Sequence, residues 1–245
     1  MYLEAISICV DYSDFLAHTL PQNRPHFDRW VIVTAPHDLA TQRLCAHFHV
    51  ECVVTEAFYR GGDRFNKGRG INAGLSRLRR RDWLLHIDAD IVLPPRTREF
   101  LQAADLDPRC VYGIDRLMCR DFDSWANYQR QPVPQFQNEV FVQLKPFPIG
   151  TRVAKLDAGG YVPIGFFQLW NAASQRLKYP EHHSTAARSD MLFSLQWERQ
   201  QRQLLPEIVG IHLATDAVGA IGANWNGRTT PGFGPATCDL ACGYE

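Results

Sequence analysis

The chain predicts an α/β fold, a mostly parallel central sheet flanked by helices, in a single domain over residues 1–245. Three observations predict it. Short apolar, β-branched runs alternate with amphipathic stretches through the first hundred residues, the pattern of parallel strands joined by crossover helices. The fourth such run ends in two aspartates one residue apart, at the strand end where open parallel sheets place their ligands. The composition, 45% hydrophobic and 21% charged over 245 residues, is that of an ordinary globular domain long enough to bury a large core.

Each element has its own warrant. Residues 5–10 form a short buried strand, followed by a polar stretch. Residues 30–34, rich in valine and isoleucine, form a second strand, and residues 50–55 a third. Between them, residues 39–48 carry helical spacing, with Leu39, Leu44 and Phe48 able to share a face. Residues 67–80 place Ile71, Leu75 and Leu78 at i, i+4 and i+7, an amphipathic helix with an arginine-rich outer side. Residues 83–87 are the fourth strand, and residues 101–112 read as a helix followed by a strand. Residues 131–160, with Pro132, Pro134, Pro146 and Pro148, read as loops around an edge strand at 140–144. Residues 189–203 are expected to be helical and 209–212 a strand. The glycine-rich stretch 219–234 is either mobile or folds over a ligand.

Charge and cysteine content narrow the function. The chain has 26 basic and 26 acidic side chains, so it has no global excess with which to neutralise many phosphates. Residues 1–10 contain Glu4, no basic lead and no small-residue cleavage site, so they read as a strand and not as a secretory signal. The longest low-charge stretch, 208–225, is too polar and too short to span a bilayer. The seven cysteines Cys9, Cys45, Cys52, Cys110, Cys119, Cys238 and Cys242 are an odd number without paired metal-ligand spacing, which fits a reducing cytoplasm. The oligomeric state stays open.

The chemistry centres on Asp88 and Asp90. Two carboxylates one residue apart at a strand end can offer oxygens to a hard divalent cation and to a sugar hydroxyl. Upstream, Asn66-Lys67-Gly68 opens a helix with an amide, a cation and glycines, a place to receive a diphosphate or sugar hydroxyls. Asn224-Trp225-Asn226-Gly227-Arg228 can fold over that diphosphate, with Arg228 as cation and Trp225 as lid, or form a disordered tail. The run Arg77, Arg79, Arg80 and Arg81 is either a solvated helix face or a phosphate-binding stripe for a nucleic-acid acceptor.

Four ordered pieces carry a resemblance: the strand at 6–12, the helix opening Asn66-Lys67-Gly68 with Asn72 and Gly74, the strand ending Asp88-Ala89-Asp90 before Pro94, and Ser189-Asp190 before a helix. Together they resemble the nucleotide-sugar glycosyltransferases of the GT-A (Rossmann-like) fold, closest to family 2 and its small bacterial and viral relatives. The resemblance implies that Val10, Asp11, Tyr12 and Asp38 border the nucleotide base, and that Lys67 and Asn72 belong to the donor-binding helix opening. It implies that Asp88 contacts ribose or metal and that Asp90 and His212 hold the metal, a set suited to Mn2+ and less well to Mg2+. Asp190 matches the general base of an inverting reaction, although the family more usually has an acidic pair where this chain has Ser189-Asp190. A UDP-sugar is the favoured donor, with residues 1–115 as the nucleotide-sugar half and 116–245 as the acceptor half and tail. The acceptor stays open among a saccharide, a lipid-linked sugar, a protein side chain and a hydroxymethylated base in phage-type DNA. A non-catalytic nucleotide-sugar-binding module is the alternative.

Overall fold

The computed structural model describes residues 1–119, 121–130, 142–143, 160–174, 178–215 and 224–234. The loop assignments within 131–141 and 144–159, the tail at 219–223, and Cys238 and Cys242 lie outside the described residues.

The N-terminal half alternates strand and helix: β1 (Leu3–Ile8), α1 (Ser13–Asn23), β2 (Arg29–Thr34), α2 (Leu39–His47), β3 (Glu51–Val54), α3 (Lys67–Leu75) and β4 (Trp83–Ile87). These four strands are parallel, in the order β3-β2-β1-β4. All six residues of β1 are buried, because helices cover both faces of the sheet. On one face Leu16, Leu20, Leu44 and Cys45 from α1 and α2 pack on Ala5 and Ile32. On the other, Ile71 and Leu75 of α3 pack on Ile6, Val31 and Val33.

The remainder is β5 (Ile91–Val92), α4 (Thr97–Ala103), β6 (Val111–Cys119), α5 (Phe122–Arg130), β7 (Val142–Gln143), β8 (Phe167–Asn171), α6 (Ser189–Ser194) and β9 (Arg202–Leu213). The sheet continues β4-β8-β6-β9-β5, with β7 paired to β6. Here β8 runs antiparallel to both β4 and β6, and β5 antiparallel to β9. The sheet is therefore parallel in its first half and mixed in its second. No helix among the described residues is long and apolar enough to cross a membrane.

Three departures from the sequence reading have physical causes. The polar stretch after β1 is helix α1, which contains Pro21 and is held by burial of Phe15, Leu16 and Leu20. Helix α3 stops at Leu75 because the buried Glu4 carboxylate takes the backbone N–H groups of Arg79 and Arg81, at 2.7 and 3.2 Å. The helix expected over 189–203 ends at Ser194, and β9 is twelve residues long because it pairs with β6 along that strand's whole length. A register shift in that ladder accommodates Pro206, which has no N–H to donate.

Candidate functional site

The carboxyl end of β4 opens into a cleft of about 250 Å³. Its walls include Val10 and Tyr12 from the turn after β1, Phe65 and Lys67 at the start of α3, Asp88 and Asp90 after β4, Arg188 and Asp190 at α6, and Asn224, Trp225 and Arg228.

The Asp88-Ala89-Asp90 turn is fixed through its backbone. The Asp88 carbonyl accepts from Ile91 N at 3.3 Å, and the Asp90 carbonyl accepts from Leu213 N at 2.9 Å. Thr19 Oγ1 of α1 donates to the Ala89 carbonyl at 2.7 Å. One turn further along α1, Asn23 donates to the Ile91 carbonyl at 2.6 Å and accepts from Leu93 N at 2.8 Å. The polar face of α1 thus clamps both aspartates in place.

Each aspartate has a different partner. Lys67 Nζ donates to Asp88 Oδ1 at 2.6 Å. Burial pushes the Asp88 carboxyl up, against the opposing pull of Lys67. Burial alone would lower the Lys67 ammonium, but Asp88 and Asp190 outweigh it and raise it. Antiparallel pairing of β5 with β9 sets His212 opposite Ile91, which brings its Nε2 to 3.2 Å from Asp90 Oδ2. Burial pushes the Asp90 carboxyl up as well, yet His212 and the nearby cations outweigh it and hold the group below the ordinary carboxylate value.

Asp90 Oδ1 and His212 Nδ1 are both buried without a hydrogen-bond partner. A carboxylate oxygen and an imidazole nitrogen left in this condition fit a divalent cation that accepts oxygen and nitrogen ligands together, such as Mn2+. Among the described residues no group of three His, Cys, Asp or Glu side chains converges.

Asp190 lies across the cleft at the start of α6. Its Oδ2 accepts from Gly165 N at 2.8 Å and its Oδ1 from Met191 N at 2.7 Å. A Cβ on Gly165 would sit 2.9 Å from that Oδ2 and 3.3 Å from Lys67 Nζ, so glycine is what allows the two groups to flank one spot. Behind them is a sealed polar network. Gln168 Nε2 donates to the Asp190 carbonyl at 2.8 Å and to Ser194 Oγ at 2.6 Å, while its Oε1 accepts from Tyr179 Oη at 2.6 Å. His86, fully buried, stands 3.2 Å from Tyr179 Oη and 3.7 Å from Asp88 Oδ1. Burial, reinforced by Lys67, pushes its pKa down to about 3, so it is neutral beneath the aspartates.

The structure thus brings Val10, Tyr12, Lys67, Asp88, Asp90, Asp190 and Arg228 to one cleft, with His212 against Asp90. Three expected residues, Asn72, Asp38 and Asp11, sit elsewhere. Asn72 spends its amide on Tyr179 and Glu181, with three bonds of 2.7–2.9 Å, and ties the 179–181 segment to α3. Asp38 is buried as the N-cap of α2, where it accepts from Thr41 N at 3.0 Å. Its other oxygen accepts from Asp11 N at 2.8 Å, which secures the Asp11 turn with its φ of 59°. The Asp11 side chain is itself exposed beside His37.

Arg228 lines the cleft but is committed elsewhere. It forms a two-point pair with Asp14 at 2.5 and 2.7 Å, donates to the Asp11 carbonyl at 2.6 Å and lies over the Tyr12 ring. It anchors the 224–234 segment to α1, where Phe233 inserts beside Phe15 and Phe122. The α3 glycines serve packing: a Cβ on Gly68 would meet the Pro180 carbonyl and one on Gly70 the Phe58 ring. The arginine run lies at the opposite end of the sheet, against Glu4 and Tyr2 at the start of β1.

Sequence reasoning passed over Arg188, Thr19, Asn23, His86 and Arg116. The i, i+4 polar pair Thr19 and Asn23 was a legible signal. Arg116 was not: it stacks 4.3 Å from the Phe166 ring, is coupled electrostatically to Asp90, Asp88 and Asp190, and burial lowers its pKa to about 10.

No family model matches the chain, and no curated protein does. Solved structures are similar to it. A mannosyl-3-phosphoglycerate synthase from Rubrobacter xylanophilus aligns at 21% identity over 49% of this chain and 41% of its own, TM-score 0.38, so the chain spans under half its length. Glucosyl-3-phosphoglycerate synthase from Mycobacterium tuberculosis aligns over 87% of this chain and 70% of its own, TM-score 0.50. The identity is 8% for its complex with phosphoglyceric acid and 9% for its complex with Mn2+, UDP and glucosyl-3-phosphoglycerate. The latter likeness shows the fold: the chain has the GT-A architecture that its motifs resemble.

Proposed function

We propose that this protein is a metal-dependent glycosyltransferase that moves a sugar from a nucleoside-diphosphate sugar, UDP-linked by preference, to an acceptor hydroxyl. The observation that carries the reading is the convergence of Lys67, Asp88, Asp90 and Asp190 from three separate elements on one cleft, with a buried Asp90 oxygen left unpartnered. The fold shared with a synthase solved in complex with Mn2+ and UDP supports it.

Residues 1–115 bind the donor and 116–245 contribute the acceptor side, with His212 and Asp190 crossing from the second half to the first half's aspartates. Val10, Tyr12 and Phe65 give the nucleoside an apolar wall. Asp90 and His212 hold Mn2+, or Mg2+ less well. When bound, the cation supplies neutralisation of the leaving diphosphate. Lys67 contributes a second positive charge at the same place and keeps Asp88 oriented. Asp190, held by two backbone N–H groups, takes the proton of the acceptor hydroxyl as it attacks, and in-line attack gives an inverted anomer. Trp225 and Asn224 wall the cleft from water.

The acceptor in this reading is a saccharide hydroxyl. The arginine run that favoured a DNA acceptor lies at the far end of strands whose typical length is about 17–20 Å. A duplex bound there would not present a base to Asp190.

The test is release of nucleoside diphosphate from a panel of UDP- and GDP-sugars with Mn2+, with and without acceptors. We expect release with at least one UDP-sugar and none from Asp90→Ala. Full activity in Asp90→Ala removes that residue as a metal ligand. Donor binding without turnover by the wild type favours the non-catalytic module, and a retained anomer removes Asp190 as the base.

A further inference from the structure

Away from the cleft, α2 and β3 bring together two thiols that the proposed chemistry does not use. Side chains alternate along β3, and Cys52, which pairs in register with Ile32, faces the layer that α2 covers. Cys45, in the second half of α2, points into the same layer and is fully buried, and Cys52 packs against that cluster while remaining partly exposed. The turn between them is closed by a 2.9 Å bond from Val50 N to the Cys45 carbonyl. The two thiols are close enough to perturb each other's titration directly. Cys9 lies nearby but is engaged with Thr41 Oγ1 at 3.2 Å.

We propose that Cys45 and Cys52 are a reversible dithiol, closed to a disulfide by a low-molecular-weight disulfide such as oxidised glutathione. Cys52 is the attacking sulfur, because it alone of the pair reaches solvent. The neighbouring Cys45 holds the Cys52 thiol below the ordinary value, while Cys52, together with burial, raises Cys45. The Cys52 thiolate attacks one glutathione sulfur and expels a glutathione thiolate. The Cys45 sulfur then attacks the Cys52 mixed disulfide, expels the second glutathione, and its proton passes to that leaving group. Two protein thiols are oxidised and one glutathione disulfide is reduced to two thiols. The consequence is local: the pair staples the end of α2 to the edge strand of the sheet. The N-cap of the same helix, Asp38, holds the Asp11 turn beside the cleft.

The test is incubation of the folded full chain with oxidised glutathione, followed by peptide mapping under non-reducing conditions. In the wild type we expect a cross-linked Cys45–Cys52 peptide, lighter by two hydrogens and restored by dithiothreitol. Cys45→Ala should stop at a glutathione adduct on Cys52, and Cys52→Ala should leave Cys45 unmodified. A wild-type protein that retains glutathione on Cys52, that links Cys9 to Cys45, or that leaves both thiols reduced overturns the proposal. Because the readout is a bond in the wild-type protein, it does not depend on glycosyl transfer or on how well either variant folds.

Discussion

Replacing Lys67 by Met tests whether the cleft is organised by charge. Lys67 Nζ stands 2.6 Å from Asp88 Oδ1, with the two side chains 15% and 28% exposed. At that spacing and an effective dielectric of about 20, the gross attraction is about 6 kcal/mol. Desolvation of both groups offsets most of it, so the mutation chiefly reveals the cost of leaving Asp88 ionised without its partner. Removing one member of a fully buried pair costs roughly 3–5 kcal/mol, and partial exposure brings this to about 2–3 kcal/mol. The sign of the pH dependence follows from Asp88. Burial already raises its carboxyl, and the variant raises it further, so the folded variant binds a proton that the unfolded chain has released. The deficit is therefore full above the folded pKa and shrinks as pH falls towards the unfolded value. Urea denaturation followed by tryptophan fluorescence at about pH 7.5 and about pH 5 measures it. The double variant Lys67→Met with Asp88→Asn should recover most of the loss, because no buried charge is left unpaired. A deficit below about 0.5 kcal/mol, one equal at both pH values, or no recovery in the double variant would refute the reasoning.

Two further substitutions probe the frame around the cleft. Gly70→Ala places a Cβ 2.0 Å from Phe58, which is fully buried and stacked on Phe65, so thermal melting should show a loss of about 1–3 kcal/mol despite alanine's better helix propensity; a raised melting temperature would show that Phe58 yields. Arg228→Met removes the two-point pair with Asp14, and the 224–234 segment should then be cut faster in limited proteolysis, with weaker nucleoside-diphosphate binding as Trp225 loses its seat; unchanged cleavage would assign the anchoring to Phe233 alone.

The amino-acid sequence by itself determined the four strands through β4, the helices α2 and α3 between them, and the position of the aspartate pair at a strand end, but not helix α1. Apolar periodicity and strand ends are local properties, written within ten or fifteen residues, and they do not depend on what packs against them. Lys67, Asp190 and His212, named by the resemblance, lie around the aspartate pair in the structure. What only the tertiary structure decided is how each residue spends its polar atoms. Asn72 and Asp38 look like ligand-facing residues in the sequence, yet each is saturated by backbone groups and neighbouring side chains. Arg228 looks like a free cation, yet Asp14 from the other end of the chain neutralises it. Arg116, silent in the sequence, is coupled to the carboxylates because the pairing of β6 with β9 carried it there, and His86, two residues before Asp88, is made neutral by the burial that the closed sheet imposes. A side chain's chemical duty depends on which donors and acceptors surround it, and those come from residues far away in sequence, brought together only when the sheet closes.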